Sequence, residues 1–589
     1  MSPFHIAASL LALALAFPVI AADSAADRFK NLYEREWAWR LRESPQFASY
    51  LGDRTRDAEL GHVDEPSQLR RLKELEGFQR ELEAIPADQL DAADTINYAI
   101  YRNQLANRIN GIRLKDYLLP MTSDSSFYAD LMQMPESQKF KTAADYRTYI
   151  AKLGAIPAYF DEHIVLLRQG VKIGMTLPQV VLQGRDGPLR EIAEGKDLDK
   201  NPFYQPFAKL PSDIPADEAA ALRREGEEAV RKHVIPAYAK LLKYFVDDYV
   251  PHARKTLGAY AMPNGKAYYQ QQIREYTTLD STPEEIHAIG LREVARIRAE
   301  MENVMKEAKF DGDFAAFLTF LRTDPQFYAK TPRELLMIAR DIAKRIDGEL
   351  PKYFGKLPRL TYGVAPVPAA IAPYYTTGRY SGAPADGKTA GFYWVNTWKL
   401  EARPLYALPA LTLHEAVPGH HLQGALASEQ GEQPPFRRYS YISAFGEGWA
   451  LYAEHLGVEM GIYETPYEQF GRLTNEMWRA CRLVIDTGIH AKGWTREQAL
   501  ALLRDNSALS EHEITTEVDR YISWPGQALS YKLGELRIRE LRAKAERELG
   551  TRFDLRAFHD AVLSLGSVPL PLLDQRVDQF IRESSTASK

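Results

Sequence analysis

The run Leu411-Thr-Leu-His-Glu-Ala-Val-Pro-Gly-His-His-Leu-Gln423 constrains this chain more than any other stretch. Leu411, Leu413, Val417 and Leu422 mark it as an apolar segment that folding would bury. It nevertheless carries His414, Glu415, His420 and His421 within eight residues. Imidazoles and carboxylates buried among apolar groups need partners. Five of the chain's 13 histidines (His414, His420, His421, His455 and His490) fall between positions 414 and 490. On an unbroken helix, residue i+6 lies about 240° around from i, and i+7 returns to the same face roughly 10 Å further along. Neither His420 nor His421 could then meet His414 at one point.

Pro418 prevents that unbroken helix. It has no N–H, its ring clashes with the preceding turn, and it drives Val417 out of the helical region. Gly419 accepts almost any backbone conformation. The sequence therefore predicts a bulge or break over 416–419. Two residues looped out return His420 to the position of an i+4 neighbour of His414. Two imidazoles at i and i+4 with a glutamate beside the first form the H-E-x-x-H metal motif, here lengthened by two residues. Neutral imidazole is the commonest metal-ligating side chain, and a Glu beside a metal-bound water serves as general base. His414 and His420 are the expected ligands, His421 is the alternative to His420, and Glu415 is the expected base.

A third ligand is expected from Ser443-Ala-Phe-Gly-Glu-Gly-Trp-Ala-Leu-Tyr-Ala-Glu-His455. Phe445, Trp449, Tyr452 and Leu456 form a helical apolar stripe, so an acid here needs a partner or a metal. Glu447 lies 27 residues after His420, room for a loop and a returning helix. Two His and one Glu with an open fourth position make a catalytic zinc set. Glu454 would orient a ligand imidazole or pair with His455.

Positions 1–22 read as a secretory signal peptide: an apolar run followed by Ala21-Ala22. Export to a periplasm or beyond is the expectation. No Cys follows that run, so no lipid anchor is expected, and the only cysteine, Cys481, excludes an internal disulfide. A net charge of −5 without a basic tract argues against nucleic acid. No later apolar run is long enough to span a membrane. Helical periodicity covers 27–41, 67–82, 91–109, 145–169 and 215–250, a scaffold region 23–280. Helices starting near Ser281-Thr-Pro-Glu, Thr331-Pro-Arg-Glu and Thr495-Arg-Glu-Gln each have a capping residue and an early Glu or Gln. A helical run at 527–549 completes the metal-binding region 281–589. The best strand is Gly391-Phe-Tyr-Trp-Val-Asn-Thr397; residues 373–380 before it read as an aromatic loop.

Four blocks together resemble the DUF885 family, bacterial proteins related to zincin-like metallopeptidases. They are His-Glu-Ala-Val-Pro-Gly-His-His (414–421), Gly-Glu-Gly-Trp-Ala-Leu-Tyr-Ala-Glu (446–454), Arg-Leu-Val-Ile-Asp-Thr-Gly-Ile-His (482–490) and Arg-Tyr-x-x-Trp-Pro-Gly-Gln-Ala-Leu-x-Tyr-Lys-x-Gly (520–534). More distantly, the layout is similar to the helical gluzincins. The resemblance implies a mostly α, large helical metallopeptidase-like fold with a deep cleft and a small β element beside the metal helix. It implies one Zn2+ per chain and a peptide substrate. It implies His490 and Tyr531 as oxyanion donors, and the strand at 391–397 as an edge that pairs with substrate, with Asn396 bonding it directly. Arg520, Tyr521, Gln527 and Lys532 cluster within 13 residues, where a Lys or Arg could hold a terminal carboxylate. A metal-dependent hydrolase of another amide or ester, and a non-catalytic binding protein on the same fold, are the competing expectations.

Overall fold

The computed structural model describes residues 23–586 apart from 196, 370, 371, 373, 374 and 384–388. The expected signal segment lies outside the described residues. The chain is mostly helical, with one three-stranded sheet. Among the described residues no helix is long and apolar enough to cross a membrane.

The helices begin where local chemistry starts them. Thr282 and Thr495 each accept the backbone N–H three residues on, and Glu285 and Gln498 reciprocate, opening Pro283–Glu307 and Arg496–Asn506. Thr331 caps Pro332–Tyr353 by accepting from Glu334. The segment expected as one helix over 215–250 contains two π-helical turns, Val230–Val234 and Phe245–Tyr249. Each ends two residues before a proline, Pro236 and Pro251. An extra residue in the turn makes room for a ring that would otherwise strike the preceding carbonyl.

Two helix pairs frame the molecule: Pro283–Glu307 against Pro466–Lys492, and Ser443–Glu459 against Ser530–Leu549. The second pair crosses at Gly448 and Gly534. A Cβ on Gly534 would lie 1.9 Å from the Ala444 carbonyl oxygen and 2.9 Å from the Gly448 Cα. The two backbones touch with no side chain between them. One core joins Leu153 and Phe160 to Met477 and Ile485, and another joins Leu75 and Ile100 to Trp449 and Leu456. Both therefore draw on residues from either side of position 280.

The sheet runs β1 (Tyr362–Pro366), β3 (Gly391–Val395), β2 (Gly378–Ser381), with β3 parallel to β1 and antiparallel to β2. Two expectations need correction here. The strand at 391 is central, so its backbone groups face protein on both sides and cannot pair with a substrate. The stretch expected as a loop ends in β2, an edge strand.

His163, in the helix Ala143–Ile173, stacks on Phe127 at 3.7 Å, and neither ring nitrogen has a hydrogen-bond partner among the described residues. Burial pushes its pKa down to about 3. The unfolded chain then takes up a proton below pH 6.5 that the folded chain refuses. Its contribution is intact above pH 6.5 and is lost as pH falls towards 3. His163→Phe should therefore remove about 2 kcal/mol of the stability loss between pH 7.5 and pH 5. Denaturant melts of both proteins at the two pH values check this; parallel losses would exclude it.

Candidate metal centre

The helix Leu408–Glu415 stops one residue after His414, and a second helix, His420–Ser428, starts at His420. Between them Ala416 leaves the helical region at φ −95°, ψ −105°, and the Val417–Pro418 peptide is cis. Three hydrogen bonds fix the break. The Gly419 N–H donates to the Leu413 carbonyl at 2.9 Å, the His421 N–H to Ala416 at 3.0 Å, and the Trp449 indole to Pro418 at 2.8 Å. Only glycine fits at 419, since a Cβ there would lie 1.9 Å from the His414 carbonyl oxygen.

The break places His420 next to His414, with ring centroids 4.8 Å apart and planes at 87°. Glu447 enters from the helix Ser443–Glu459. Its Oε2 lies 3.6 Å from His414 Nε2 and 3.4 Å from His420 Nε2, and one donor atom from each residue falls within 4.8 Å of the others. Tetrahedral zinc with bonds of roughly 2.0–2.1 Å needs ligand atoms about 3.4 Å apart, so this donor set fits such an ion. His414 Nδ1 meets Glu454 Oε1 at 2.7 Å, which holds the proton on Nδ1 and turns the Nε2 lone pair towards the cluster.

Exposure is graded across the cluster. The side chains of Glu454 and His414 are 1% and 4% exposed, whereas those of Glu447 and His420 are 15% and 16% exposed. The open side lies at His420 and Glu447. Burial resists charge on His414, but hydrogen bonds to Glu447 and Glu454 outweigh it and push its pKa up to about 10. Burial also opposes charge on Glu447, yet His420 and His414 hold its carboxyl well below the usual range. A cation would take over the role these protons play, so metal uptake should release protons. Glu454→Gln should weaken metal affinity by about 10–100-fold. Competition against a chelator measures it, and unchanged affinity would show that Glu454 merely fills the core.

Glu415 sits beside the cluster. Its Oε2 accepts the Tyr380 backbone N–H of β2 at 2.7 Å, leaving Oε1 free of that bond. His421 turns away from the cluster: its Nδ1 meets the Tyr380 hydroxyl at 3.0 Å, and its ring packs 4.8 Å from that of Tyr362. Tyr531 follows Ser530, whose hydroxyl accepts from that of Ser443 at 2.8 Å, one turn before Glu447 on the facing helix.

Other residues singled out from the sequence are engaged elsewhere. His490 is fully buried. The Ala259 N–H donates to its Nδ1 at 3.1 Å and its Nε2 faces the Tyr521 carbonyl at 2.9 Å, so it has no proton left for an oxyanion. The Asn396 amide donates to Ala372, Tyr375 and Thr376 carbonyls and accepts from the Trp398 N–H, which ties down a loop rather than a substrate. Lys532 is fully buried against Glu476, Glu535 and Glu293, a closed ion network. The Tyr521 hydroxyl accepts from Trp478 and Arg482, and the Gln527 Oε1 from Arg520. Arg520, partly exposed, keeps donors to spare.

Two residues escaped the sequence reading. The Tyr441 hydroxyl donates to Glu447 Oε1 at 3.0 Å while its ring is 57% exposed, so it borders the open side. Tyr441 precedes the helix and belongs to no periodic pattern. The Tyr380 contact is made by backbone, which no side-chain motif reveals.

These features define a large, mostly helical protein with a two-histidine, one-glutamate candidate metal centre. The chain belongs to DUF885, described as "Bacterial protein of unknown function (DUF885)", whose profile matches residues 45–577. A crystal structure from Colwellia psychrerythraea, of a protein provisionally described as a lipoprotein, is similar with a TM-score of 0.87 and 28% identity, covering 95% of this chain and 100% of that one. Another from Shewanella oneidensis, provisionally described as a lipoprotein of unknown function, shares the fold with a TM-score of 0.72 and 20% identity, covering 94% of this chain and 99% of that one. No curated protein matches the chain.

Proposed function

We propose that this protein is an exported, zinc-dependent peptidase acting on short or unfolded peptides. The observation that carries the reading is the convergence of His414, His420 and Glu447 with Glu415 beside them, open on one side. A bound zinc ion would supply Lewis-acid polarisation of the scissile carbonyl and a water of lowered pKa. Glu415 is placed to take a water's proton on Oε1, while the Tyr380 N–H holds Oε2 in place. Glu454 keeps His414 in the ligating tautomer. Tyr441 braces the Glu447 carboxylate at the open side, and Tyr531, next to the Ser443–Ser530 bond, is left as the candidate donor to an oxyanion. A peptide is favoured over other amides because β2 is an edge strand that reaches Glu415, and an extended backbone can add to such an edge. In this reading a cleft runs along β2 and past Tyr441. The apolar segment at 1–22 and the similarity to the Colwellia protein described as a lipoprotein support export.

Metal analysis of the purified mature protein should find about one zinc per chain. A peptide panel should be hydrolysed, with activity lost on chelation and restored by zinc. A protein that takes up no metal at neutral pH would rule the reading out. Hydrolysis confined to esters or non-peptide amides would keep the chemistry and change the substrate.

A further inference from the structure

Beside Tyr531 lies a group of guanidiniums with more donors than the surrounding residues use. Arg479 and Arg482 are one turn apart on Pro466–Lys492 and share the Trp478 ring, with Cζ atoms 4.0 and 4.7 Å from its centroid. Arg482 also lies 4.2 Å from the Tyr531 ring centroid, and Arg479 5.9 Å. Arg482 is 2% exposed; its Nε donates to the Tyr521 hydroxyl at 2.9 Å and its Nη2 to Glu517 at 2.7 Å. Its Nη1 is buried without a partner among the described residues. Arg479 is 7% exposed, and its Nη1 donates only a long bond, 3.4 Å, to the Asn475 carbonyl. Its Nε is buried and unpartnered, and no carboxylate pairs with it among the described residues. Arg520 adds a third cation, also with an unpartnered Nε; Glu517 and Asp124 lie 3.6 and 4.0 Å from it.

Arg482 and Arg520 thus share one partly buried carboxylate, Glu517, with half-exposed Asp124 at the margin, and Arg479 has none. Buried cations with unused donors are expensive unless an anion completes them. A guanidinium has five N–H groups in a planar fork, matched to the two oxygens of a carboxylate. The Ser443–Ser530 hydroxyl bond and the Gly448–Gly534 crossing hold Tyr531, and the guanidiniums beside it, against the helix that carries Glu447.

We propose that Arg479 and Arg482, assisted by Arg520, bind the C-terminal carboxylate of the substrate, making the enzyme a trimmer of peptide C-termini. This rests on the peptidase reading. The site would give a peptide end its orientation while Tyr441 and Tyr531 lie between that end and the scissile bond.

The test uses the full-length mature protein and three N-acetylated peptides: a free acid with no acidic side chain, the same peptide as its amide, and that amide with one internal Glu added. Calorimetry on the Glu415→Gln protein should show the free acid binding at least about tenfold tighter than the amide. Adding Arg479→Gln should reduce that ratio to within about twofold, and Arg479→Lys, which keeps the charge but not the fork, should fall between. Wild-type kcat/KM should follow the same order. Equal binding of acid and amide, or a preference that follows the internal Glu, overturns the proposal. Hydrolysis of acid and amide at equal rates overturns it while leaving the peptidase reading intact. A tighter acid in a protein that hydrolyses nothing supports the carboxylate site and removes the peptidase reading instead.

Discussion

His420→Ala should strip the metal, whereas His421→Ala should keep it. The two residues are adjacent in sequence, but the break at 416–419 sends their rings in different directions. His420 Nε2 points at Glu447 Oε2 from 3.4 Å. His421 is 1% exposed, packs on Tyr362 and meets the Tyr380 hydroxyl; burial pushes its pKa down to about 4. Four-ligand structural zinc sites have apparent binding energies of about 10–16 kcal/mol, so one ligand is worth roughly 3 kcal/mol, or about two orders of magnitude in affinity. His420→Ala should lose that much. His421→Ala should leave zinc stoichiometry at the wild-type value and instead lower stability by about 1–3 kcal/mol, from a lost buried hydrogen bond. Metal analysis and thermal melts on both variants decide the matter. Zinc retained by His420→Ala and lost by His421→Ala would mean that the second imidazole has been assigned to the wrong residue.

Glu415→Gln should abolish most hydrolysis without touching the metal. The substitution preserves shape, and the amide oxygen can still accept the Tyr380 N–H that Oε2 now takes. The amide cannot take a proton from water at neutral pH. Loss of a positioned general base typically lowers turnover by about 10²–10⁴-fold. The zinc content should stay at the wild-type level because Glu415 is outside the three-donor set. A fall of less than about tenfold would remove Glu415 from the role of base. Loss of metal would place it among the ligands.

The centre was more legible than its surroundings. Pro418 and Gly419 announce a break by local sterics alone, and the structure has one there. Glu447 and Glu454 stood out because acids on an apolar helix demand partners, and both have them. The helix starts at Thr282, Thr331 and Thr495 were likewise local chemistry. What sequence could not convey was how distant residues consume polar groups. Lys532 is indistinguishable from a free cation until Glu293 and Glu476 arrive from other helices. His490 resembles a donor until residues 259 and 521 occupy both its nitrogens. Asn396 is spent on three carbonyls of the preceding loop. In each case the deciding partner is a backbone or side-chain atom with no signature of its own. Tyr441 shows the converse, a residue without pattern that tertiary folding brings to the Glu447 carboxylate.

The glycine crossing of Ser443–Glu459 and Ser530–Leu549 has a mechanical consequence. Where side chains interdigitate, rotamer changes can absorb a displacement between helices. At Gly448 and Gly534 there are none to do so. The two helices therefore act as a single stiff beam, with Glu447 mounted on one flank and Tyr531 on the other. Their separation at the crossing is set by main-chain van der Waals radii, so the spacing between Glu447 and Tyr531 has little side-chain slack.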